Sequence, residues 1–152
     1  LFSSVHNEES NQQLTSYFKS ISPMKYQRNA QILINNRNIQ SILSAETIIW
    51  FNSQSIFSTN RSVVDYIEIA KQYQTVIISE IPILTEDMEN EARRFIALVD
   101  EFYERNVKLI HTSETSYENL YQGGKLFFAY KRTKSRLSEM VSQKYLELAH
   151  KS

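Results

Sequence analysis

Apolar residues recur at intervals of three and four along several stretches of the chain, and this periodicity predicts helices. The first predicted helix covers residues 6–21, with Glu8 and Glu9 near its start, where the helix dipole favours acidic side chains. Pro23 ends this helix, because proline cannot continue the backbone hydrogen bonding. Its apolar face consists of Leu14, Tyr17, Phe18 and Ile21.

Three further helices are predicted downstream. The second covers Ser62–Tyr73, where Ser62 and Asp65 have the spacing of a capping box. The third follows Thr85, a candidate N-cap, and runs through the stretch EARRFIALVDEFYER. The fourth is amphipathic and covers Thr133 to about Ala149. The apolar face of the third helix consists of Ala92, Phe95, Ile96, Val99, Phe102 and Tyr103.

Short apolar runs rich in β-branched and aromatic residues predict strands. A hairpin is predicted within QILINNRNIQSIL, residues 31–43, around Asn36, Arg37 and Asn38, because asparagine tolerates left-handed backbone angles. The remaining predicted strands lie at Thr47–Asn52, at Thr75–Ser79, and at residues 107–113 and 125–132.

The alternation of strands and helices predicts an α/β fold, a mixed sheet with flanking helices and an early β-hairpin joined to it. We expect one compact unit, in which residues 1–24 form an N-terminal helix and connector. Residues 25–152 then form an α/β region that ends in an amphipathic helix. Because the chain opens on Leu1, without a Met or a signal-peptide pattern, we expect a fragment or a processed product.

The charge balance limits the classes of partner. The chain has 17 Lys and Arg residues and 17 Asp and Glu residues, which argues against a general nucleic-acid binder with its basic face. It has no cysteine, so disulfides and thiolate metal sites are excluded. No apolar stretch approaches the ~20 residues that a membrane-spanning helix requires. We therefore expect neither a nucleic-acid partner nor a membrane span.

The stretch ALVDE, residues 97–101, is similar to the strand end at which a P-loop ATPase holds magnesium through an Asp–Glu pair. The helical periodicity around it places Asp100 and Glu101 in the middle of a helix instead. The sequence contains no G-x-x-x-x-G-K-[ST] loop, and its two glycines, Gly123 and Gly124, are adjacent. We therefore expect this chain alone to be inactive as an ATPase, with no catalytic residue and no metal ligand.

The histidines offer a weaker candidate for chemistry. His6, His111 and His150 are far apart in the sequence and lack partners at metal-ligand spacing. His111, beside Thr112 and Ser113 near a predicted strand end, permits a small-hydrolase interpretation, but no acid partner or oxyanion hole is specified. A structural or solvent-facing His111 is the preferred interpretation.

Four arginines are the candidate binding residues: Arg93, Arg94, Arg132 and Arg136. Guanidinium groups near helix starts can hold phosphate or carboxylate through paired hydrogen bonds. Arg136 lies near the start of the last predicted helix, from which it could reach a neighbouring domain or subunit. The simpler alternative is that these arginines form surface salt bridges.

Four stretches resemble one protein family. They are SVVDYIEIAKQYQTVIISEIP, EARRFIALVDEFYERNVKL, LYQGGKL and RTKSRLSEMVSQKYL. They are similar to the C-terminal part of the ZapE-type, AFG-like AAA+ ATPases, which include bacterial cell-division proteins and mitochondrial relatives. The similarity is dense between Asp65 and Leu146 and looser before Ile42.

The resemblance implies a parent protein that hydrolyses ATP with magnesium, using a phosphate loop, an Asp–Glu strand and a first sensor upstream of Leu1. This chain would then hold no cofactor and would supply lid, oligomer or partner contacts. In the lids of such ATPases an arginine often contacts the γ-phosphate; Arg136 is the first candidate here and Arg132 the second. The implied partners are the remainder of the same ATPase, further copies of it and the division GTPase FtsZ, in the bacterial cytoplasm.

Two alternatives stay open. The strand–helix–strand order from Thr75 to Ser113 matches the catalytic and sensor strands of an ATPase core, with Ser79–Glu80 in place of Asp–Glu. It is either a degenerate copy of that layout or a chance likeness. The second alternative is a standalone, non-enzymatic α/β interaction domain, whose interface is marked by the aromatic residues Tyr117, Tyr121 and Tyr130.

Overall fold

The computed structural model describes residues 3–58 and 60–152, and within them most strands form one mixed sheet. The order across this sheet is β1-β8-β7-β6-β5-β2, and a separate two-stranded hairpin is formed by β3 and β4. Strands β1, β8, β7 and β6 are parallel, whereas β5 and β2 run antiparallel to their neighbours. The strands are β1 Ser3–Val5, β2 Gln27–Arg28, β3 Gln31–Ile34, β4 Arg37–Gln40, β5 Leu43–Ser44, β6 Ile48–Asn52, β7 Thr75–Ile81 and β8 Lys108–Ser113.

Helices flank the sheet, and the predicted α/β fold with a mixed sheet is confirmed. The first three of the longer helices agree with their predicted positions to within a few residues. The helices are α1 Glu8–Ile21, α2 Ser53–Phe57, α3 Val63–Gln72, α4 Glu89–Glu104, α5 Phe127–Met140 and α6 Gln143–Leu146, with 3₁₀ turns at Glu86–Met88 and Tyr117–Asn119. Among these helices, none is long and apolar enough to cross a membrane.

The central strands are covered on both faces, which explains the unbroken apolar run at Thr75–Ser79. On one face, Leu14 and Phe18 of α1 pack against Trp50, Ile77 and Ile110. On the other face, α3 and α4 pack against the sheet and form the larger apolar cluster. The N-terminal helix therefore contributes to the core, while the proposed division into residues 1–24 and 25–152 stays a prediction.

The hairpin is confirmed, but it forms its own two-stranded sheet instead of joining the main sheet, and its turn lies at Asn35–Asn36 and not at Asn36–Arg37–Asn38. Ile34 is paired with Arg37, which leaves a two-residue turn between the strands. Asn35 and Asn36 have φ angles of 51° and 63°. A tight hairpin turn needs positive φ at both central residues, and asparagine tolerates that conformation better than arginine does.

The predicted strand at residues 125–132 is wrong, because the structure has helix α5 there. Tyr130, Thr133, Leu137 and Met140 are the buried residues of α5, and their spacing is helical. The helix also ends at Met140, and α6 begins separately after Ser142, whose side chain accepts a hydrogen bond from the Tyr145 backbone N–H. The single helix predicted from Thr133 to Ala149 is therefore two helices with an earlier start.

The aromatic residues predicted to mark an interaction surface, Tyr117, Tyr121 and Tyr130, are buried or half-buried. Tyr130 is only 3% exposed, and its ring lies 6.4 Å from that of Phe95 and 5.4 Å from that of Tyr121. Its hydroxyl donates a hydrogen bond to the backbone carbonyl of Tyr117 at 2.6 Å. Tyr117 and Tyr121 are half-buried against the same core. The interpretation of Tyr130 as a surface residue is therefore wrong.

The buried carboxylate of Asp65 joins α3 to the hairpin. Its side chain is 1% exposed and accepts hydrogen bonds from the Ser62 backbone N–H at 3.0 Å and from Asn35 Nδ2 at 3.1 Å. Arg37 Nη2 lies 2.5 Å from its second oxygen and forms an ion pair with it. One side chain thus completes the predicted capping box of α3 and holds the hairpin against that helix.

Replacing Asp65 tests this connection. Asp65→Ala is expected to lower the free energy of unfolding by about 2–3 kcal/mol, because it removes a helix cap and a charged hydrogen bond. Urea unfolding followed by circular dichroism measures the change. The matched control is Glu46→Ala, an exposed carboxylate, with an expected change below about 0.5 kcal/mol. Equal losses in the two variants would contradict the connecting role of Asp65.

Candidate functional site

Two of the predicted arginines meet at one carboxylate between α4 and α5. Arg132 and Arg136 are four residues apart, so both project from the same side of α5. Arg136 lies in the second half of α5, so its predicted place near the start of the last helix is wrong. Arg132 Nη2 lies 3.3 Å from Asp100 Oδ2, and Arg136 Nη1 donates a hydrogen bond to Asp100 Oδ1. We call Arg132, Arg136 and Asp100, with Tyr103, the arginine cluster.

Two stacked aromatic rings, those of Tyr103 and Tyr145, lie under the guanidinium group of Arg136. Its guanidinium carbon lies 4.9 Å from the ring centre of Tyr103, a cation–π distance. The Tyr103 ring stacks on that of Tyr145, with 5.9 Å between centres and 14° between planes. Tyr145 is anchored in turn, because its hydroxyl donates to the backbone carbonyl of Val107 at 2.7 Å. The guanidinium group of Arg136 therefore packs on two stacked rings, and the second ring is hydrogen-bonded to the residue just before β8.

Burial and charge differ within the cluster. The side chains of Arg136 and Asp100 are 23% and 26% exposed, whereas that of Arg132 is 60% exposed. Two guanidinium groups face the Asp100 carboxylate, and a second carboxylate, that of Glu139, borders the cluster at Tyr103. Hydrogen bonding to Glu139 raises the pKa of Tyr103, so its ring stays a neutral support for the guanidinium. The cluster can hold an anionic group such as a phosphate.

The other two predicted arginines lie elsewhere. Arg94 Nη1 donates a hydrogen bond at 3.1 Å to the backbone carbonyl of Phe57, the last residue of α2. Arg93 is exposed and lies seven residues before Asp100 along α4, about 10 Å of helix rise. The structure therefore brings Arg132 and Arg136 together and leaves Arg93 and Arg94 outside the cluster.

In the sequence, Asp100 resembles a magnesium ligand at a strand end, but in the structure it pairs with Arg132 and Arg136. Asp100 and Glu101 lie within α4, as the periodicity predicted, and not at a strand end. The sequence analysis did not identify Asp100 or Tyr103 as members of a site. Their three-residue spacing on α4, facing the four-residue spacing of Arg132 and Arg136, is the signal that could have found them.

The carboxyl ends of the parallel strands carry a second polar group of residues. Glu80 has a φ of 62°, and its carboxylate accepts a hydrogen bond from Asn52 Nδ2 at 2.7 Å. His6 Nε2 lies 3.2 Å from the other carboxylate oxygen. The Glu80 backbone N–H donates to Thr112 Oγ1 at 3.0 Å, and that oxygen lies 3.3 Å from His6 Nδ1. These contacts tie β1, β6, β7 and β8 together at one edge.

Ser79 is occupied within this edge. It is 1% exposed, and its hydroxyl accepts a hydrogen bond from Trp50 Nε1 at 2.9 Å. The parallel order β7–α4–β8 matches the layout considered for an ATPase core, but the Ser79 hydroxyl is buried and bonded to the Trp50 indole. Within residues 3–58 and 60–152, no group of three or more His, Asp or Glu side chains is placed to hold a metal ion.

His111 is a structural residue and not a catalytic base. It is 2% exposed, its ring is 6.4 Å from that of Tyr117, and its buried Nδ1 atom has no hydrogen-bond partner. Burial lowers the pKa of His111 to about 4. The imidazole is therefore neutral in the folded protein near pH 7 and closed off from a substrate, which removes the basis for the hydrolase interpretation.

Comparison with protein families gives a match that includes the sheet and the arginine cluster. The sequence pattern of the AFG1-like ATPases matches residues 1–149. The chain belongs to the AFG1-like ATPase family. The resemblance carried by the four sequence stretches is confirmed by this match.

Individual relatives of this AFG1-like chain are longer than it is. Cell division protein ZapE of Escherichia coli (strain K12) is 35% identical over 150 residues, which make up 99% of this chain and 40% of ZapE. Lactation elevated protein 1 homolog B of Danio rerio is 29% identical over 113 residues, 53% of this chain and 22% of that protein. The chain thus spans less than half the length of these relatives. No solved structure matches it.

The lowered pKa of His111 predicts a specific dependence of stability on pH. As the pH falls from 7 to 5, the unfolded chain takes up a proton at His111 and the folded chain does not. This difference lowers the free energy of unfolding by about 2 kcal/mol. The loss grows further until the pH reaches the folded-state value of about 4 and then levels off.

The variant His111→Leu isolates this contribution. Urea unfolding of both proteins at pH 7 and pH 5 should show a loss on acidification that is smaller by about 2 kcal/mol in the variant. The variant should keep its stability at pH 7, because the unpartnered Nδ1 atom contributes no hydrogen bond there. An identical dependence on pH in the two proteins would contradict the account of His111.

Proposed function

We propose that this chain is the C-terminal region of a ZapE-like ATPase, in which it forms the contacts of a lid next to the nucleotide. ATP and magnesium would be bound and ATP hydrolysed by residues outside the 152 of this chain. The support is the family match together with the absence of a G-x-x-x-x-G-K-[ST] loop in the sequence. The chain by itself is then inactive, and the remainder of the same ATPase is its first partner.

The arginine cluster is the observation that carries this proposal. Arg136 is the first candidate to contact the γ-phosphate and Arg132 the second. A guanidinium group presents its donors in a planar fork that matches phosphate oxygens, and it stabilises the charge that develops during phosphoryl transfer. Asp100 and Tyr103 hold Arg136 in place between α4 and α5 until a phosphate takes over its donors.

Asp100 also gives the cluster a means of responding to nucleotide. A phosphate that reaches the two arginines competes with Asp100 for the same donors. Asp100 is on α4 and the arginines are on α5, so a phosphate that replaces the Asp100 carboxylate at the arginines removes an ionic contact between the two helices. Arg93 and Arg94 lie outside this competition and remain candidates for contacts between subunits.

Replacing Arg136 in the full-length ATPase tests the lid role. Arg136→Ala is expected to lower kcat for ATP hydrolysis about 10²-fold, and Arg136→Lys, which keeps the charge without the fork, should recover part of it. The control is Lys134→Ala, which removes a cation of the same helix outside the cluster and should leave turnover unchanged. Unchanged turnover in Arg136→Ala would remove the sensor role.

ATP hydrolysis by the 152-residue chain alone would contradict the proposal that it is inactive by itself.

The name of the bacterial relative suggests the cellular setting. The words "cell division protein" in this relative's name lead us to propose a role in division. FtsZ and the bacterial cytoplasm are the partner and the location that the family resemblance implies. Purified FtsZ should be retained by the immobilised full-length protein, with an unrelated ATPase as the control. Failure of both this chain and the full-length protein to retain FtsZ would remove that partner without affecting the role of Arg136.

A further inference from the structure

A cavity lies at the edge of the main sheet, between the hairpin and the end of α3. It measures about 460 Å³, which is within the range of small-molecule sites. Four parts of the chain form its walls: the residues before β2, strand β3, the end of β5 with the turn that follows it, and the residue after α3. From these parts, Lys25, Ile32, Ser44, Glu46 and Tyr73 line the cavity.

Two buried hydroxyl groups of this lining have no hydrogen bond. Ser44 is 6% exposed and Tyr73 is 7% exposed, and neither hydroxyl has a partner among the residues that the structure describes. Leu43 packs against α1, so the next residue of the strand, Ser44, points to the opposite face of the sheet, where Tyr73 lies. Buried polar groups are nearly always hydrogen-bonded. Two such hydroxyls at one cavity therefore point to a polar molecule that binds there.

The rim of the cavity carries one charge of each sign. Lys25 and Glu46 are exposed, and neither forms an ion pair within residues 3–58 and 60–152. A ligand with a single charge would leave one of these two side chains unmatched. A ligand with one positive and one negative group matches both.

Much of the remaining lining is apolar. Met24, Tyr26, Ile32 and Ala45 line the cavity together with the ring of Tyr73. Ile32 and Tyr73 also pack against the main apolar cluster, so this part of the wall is held in place by the core. An apolar group of the ligand gains free energy when it leaves water for such a surface.

We propose that this cavity binds a free amino acid with an apolar side chain. Its carboxylate pairs with Lys25 and its ammonium group with Glu46. The hydroxyls of Ser44 and Tyr73 donate to the carboxylate or accept from the ammonium group. Burial raises the pKa of Tyr73, so its hydroxyl keeps its proton at neutral pH and stays a donor. The cavity contains no residue of the arginine cluster, so the proposal does not depend on the lid role.

Saturation-transfer NMR of the full-length ATPase with L-phenylalanine and L-leucine tests the site directly. At least one of them should bind with a Kd of about 0.1–1 mM, as expected for a ligand of this size. Glycine, which has the same charges without the apolar group, should bind at least about 10-fold more weakly. No binding of either probe up to about 10 mM would overturn the proposal.

Tyr73→Phe and Ser44→Ala each remove one hydroxyl. Each should weaken binding about 3–10-fold, the effect of one hydrogen bond. Neither should lower the urea midpoint of the ligand-free protein, because the hydroxyls have no partner among the described residues. The control Tyr117→Phe makes the same change outside the cavity and should leave binding unchanged. Wild-type affinity in both cavity variants would overturn the proposal, and so would a urea midpoint that falls in both, since the hydroxyls would then serve the fold.

The charges are tested by combining a variant with a modified ligand. Lys25→Gln should weaken the binding of L-phenylalanine about 2–5-fold but not that of L-phenylalaninamide, which lacks the carboxylate. Glu46→Gln should do the same for L-phenylalanine but not for N-acetyl-L-phenylalanine, which lacks the ammonium group. Both residues are exposed, so the variants should fold, and circular dichroism confirms it. Modified ligands that bind as tightly as L-phenylalanine, or variants that weaken all ligands equally, would overturn the proposal.

Discussion

The burial of β7 on both faces is the constraint on which the rest of the structure depends. Every residue from Thr75 to Ser79 is buried, and a strand without a solvent-facing side needs helices above and below it. Helix α1 covers one face and α3 and α4 cover the other. With α4 held against the sheet, α5 forms an outer layer on it, and the contact between these two helices contains the arginine cluster.

The arginine cluster depends on this layering for its geometry. Asp100 lies on the side of α4 that meets α5, and Tyr103 stacks on Tyr145, which is anchored to the backbone at Val107. A partly exposed ion pair contributes little to stability by itself, about 0–1 kcal/mol. The value of the arrangement is positional, because Arg136 is fixed on a rigid support while Arg132 remains open to solvent. Under the proposed lid role, an anion bound there would act on the packing of α5 against α4.

Much of the fold could be predicted from local pattern because the physical causes are local. The capping box at Ser62 and Asp65, the helical stripe of α4 and the apolar run of β7 each lie within a short stretch of sequence. Helix α5 could not, since LFFAY looks like a strand until Thr133, Leu137 and Met140 are included in its periodicity. Phe127 and Phe128 favour that error, because phenylalanines are usually buried and suggest an interior strand, whereas both are exposed in the structure.

Only part of the candidate site could be predicted from the sequence. Arg132 and Arg136 were identified from the chemistry of guanidinium groups, but their partner Asp100 lies 36 residues from Arg136 in the sequence. No local pattern connects residues at that separation, and the sequence around Asp100 resembles a magnesium-binding strand end although Asp100 lies within α4. Similarly, Glu80 and His6 meet only because β1 pairs with β8, which in turn pairs with β7.

The measurement that tests the central claim most directly is hydrogen exchange of the full-length ATPase with and without a non-hydrolysable ATP analogue. The account predicts that the analogue changes the protection of backbone amides in α5, from Tyr130 to Met140, because a phosphate competes with Asp100 for Arg132 and Arg136. It also predicts that this change is lost in Arg136→Ala under saturating analogue, while the amides of α1 on the opposite face stay unchanged in both proteins. Analogue binding that leaves α5 protection unaltered in the wild type would contradict it.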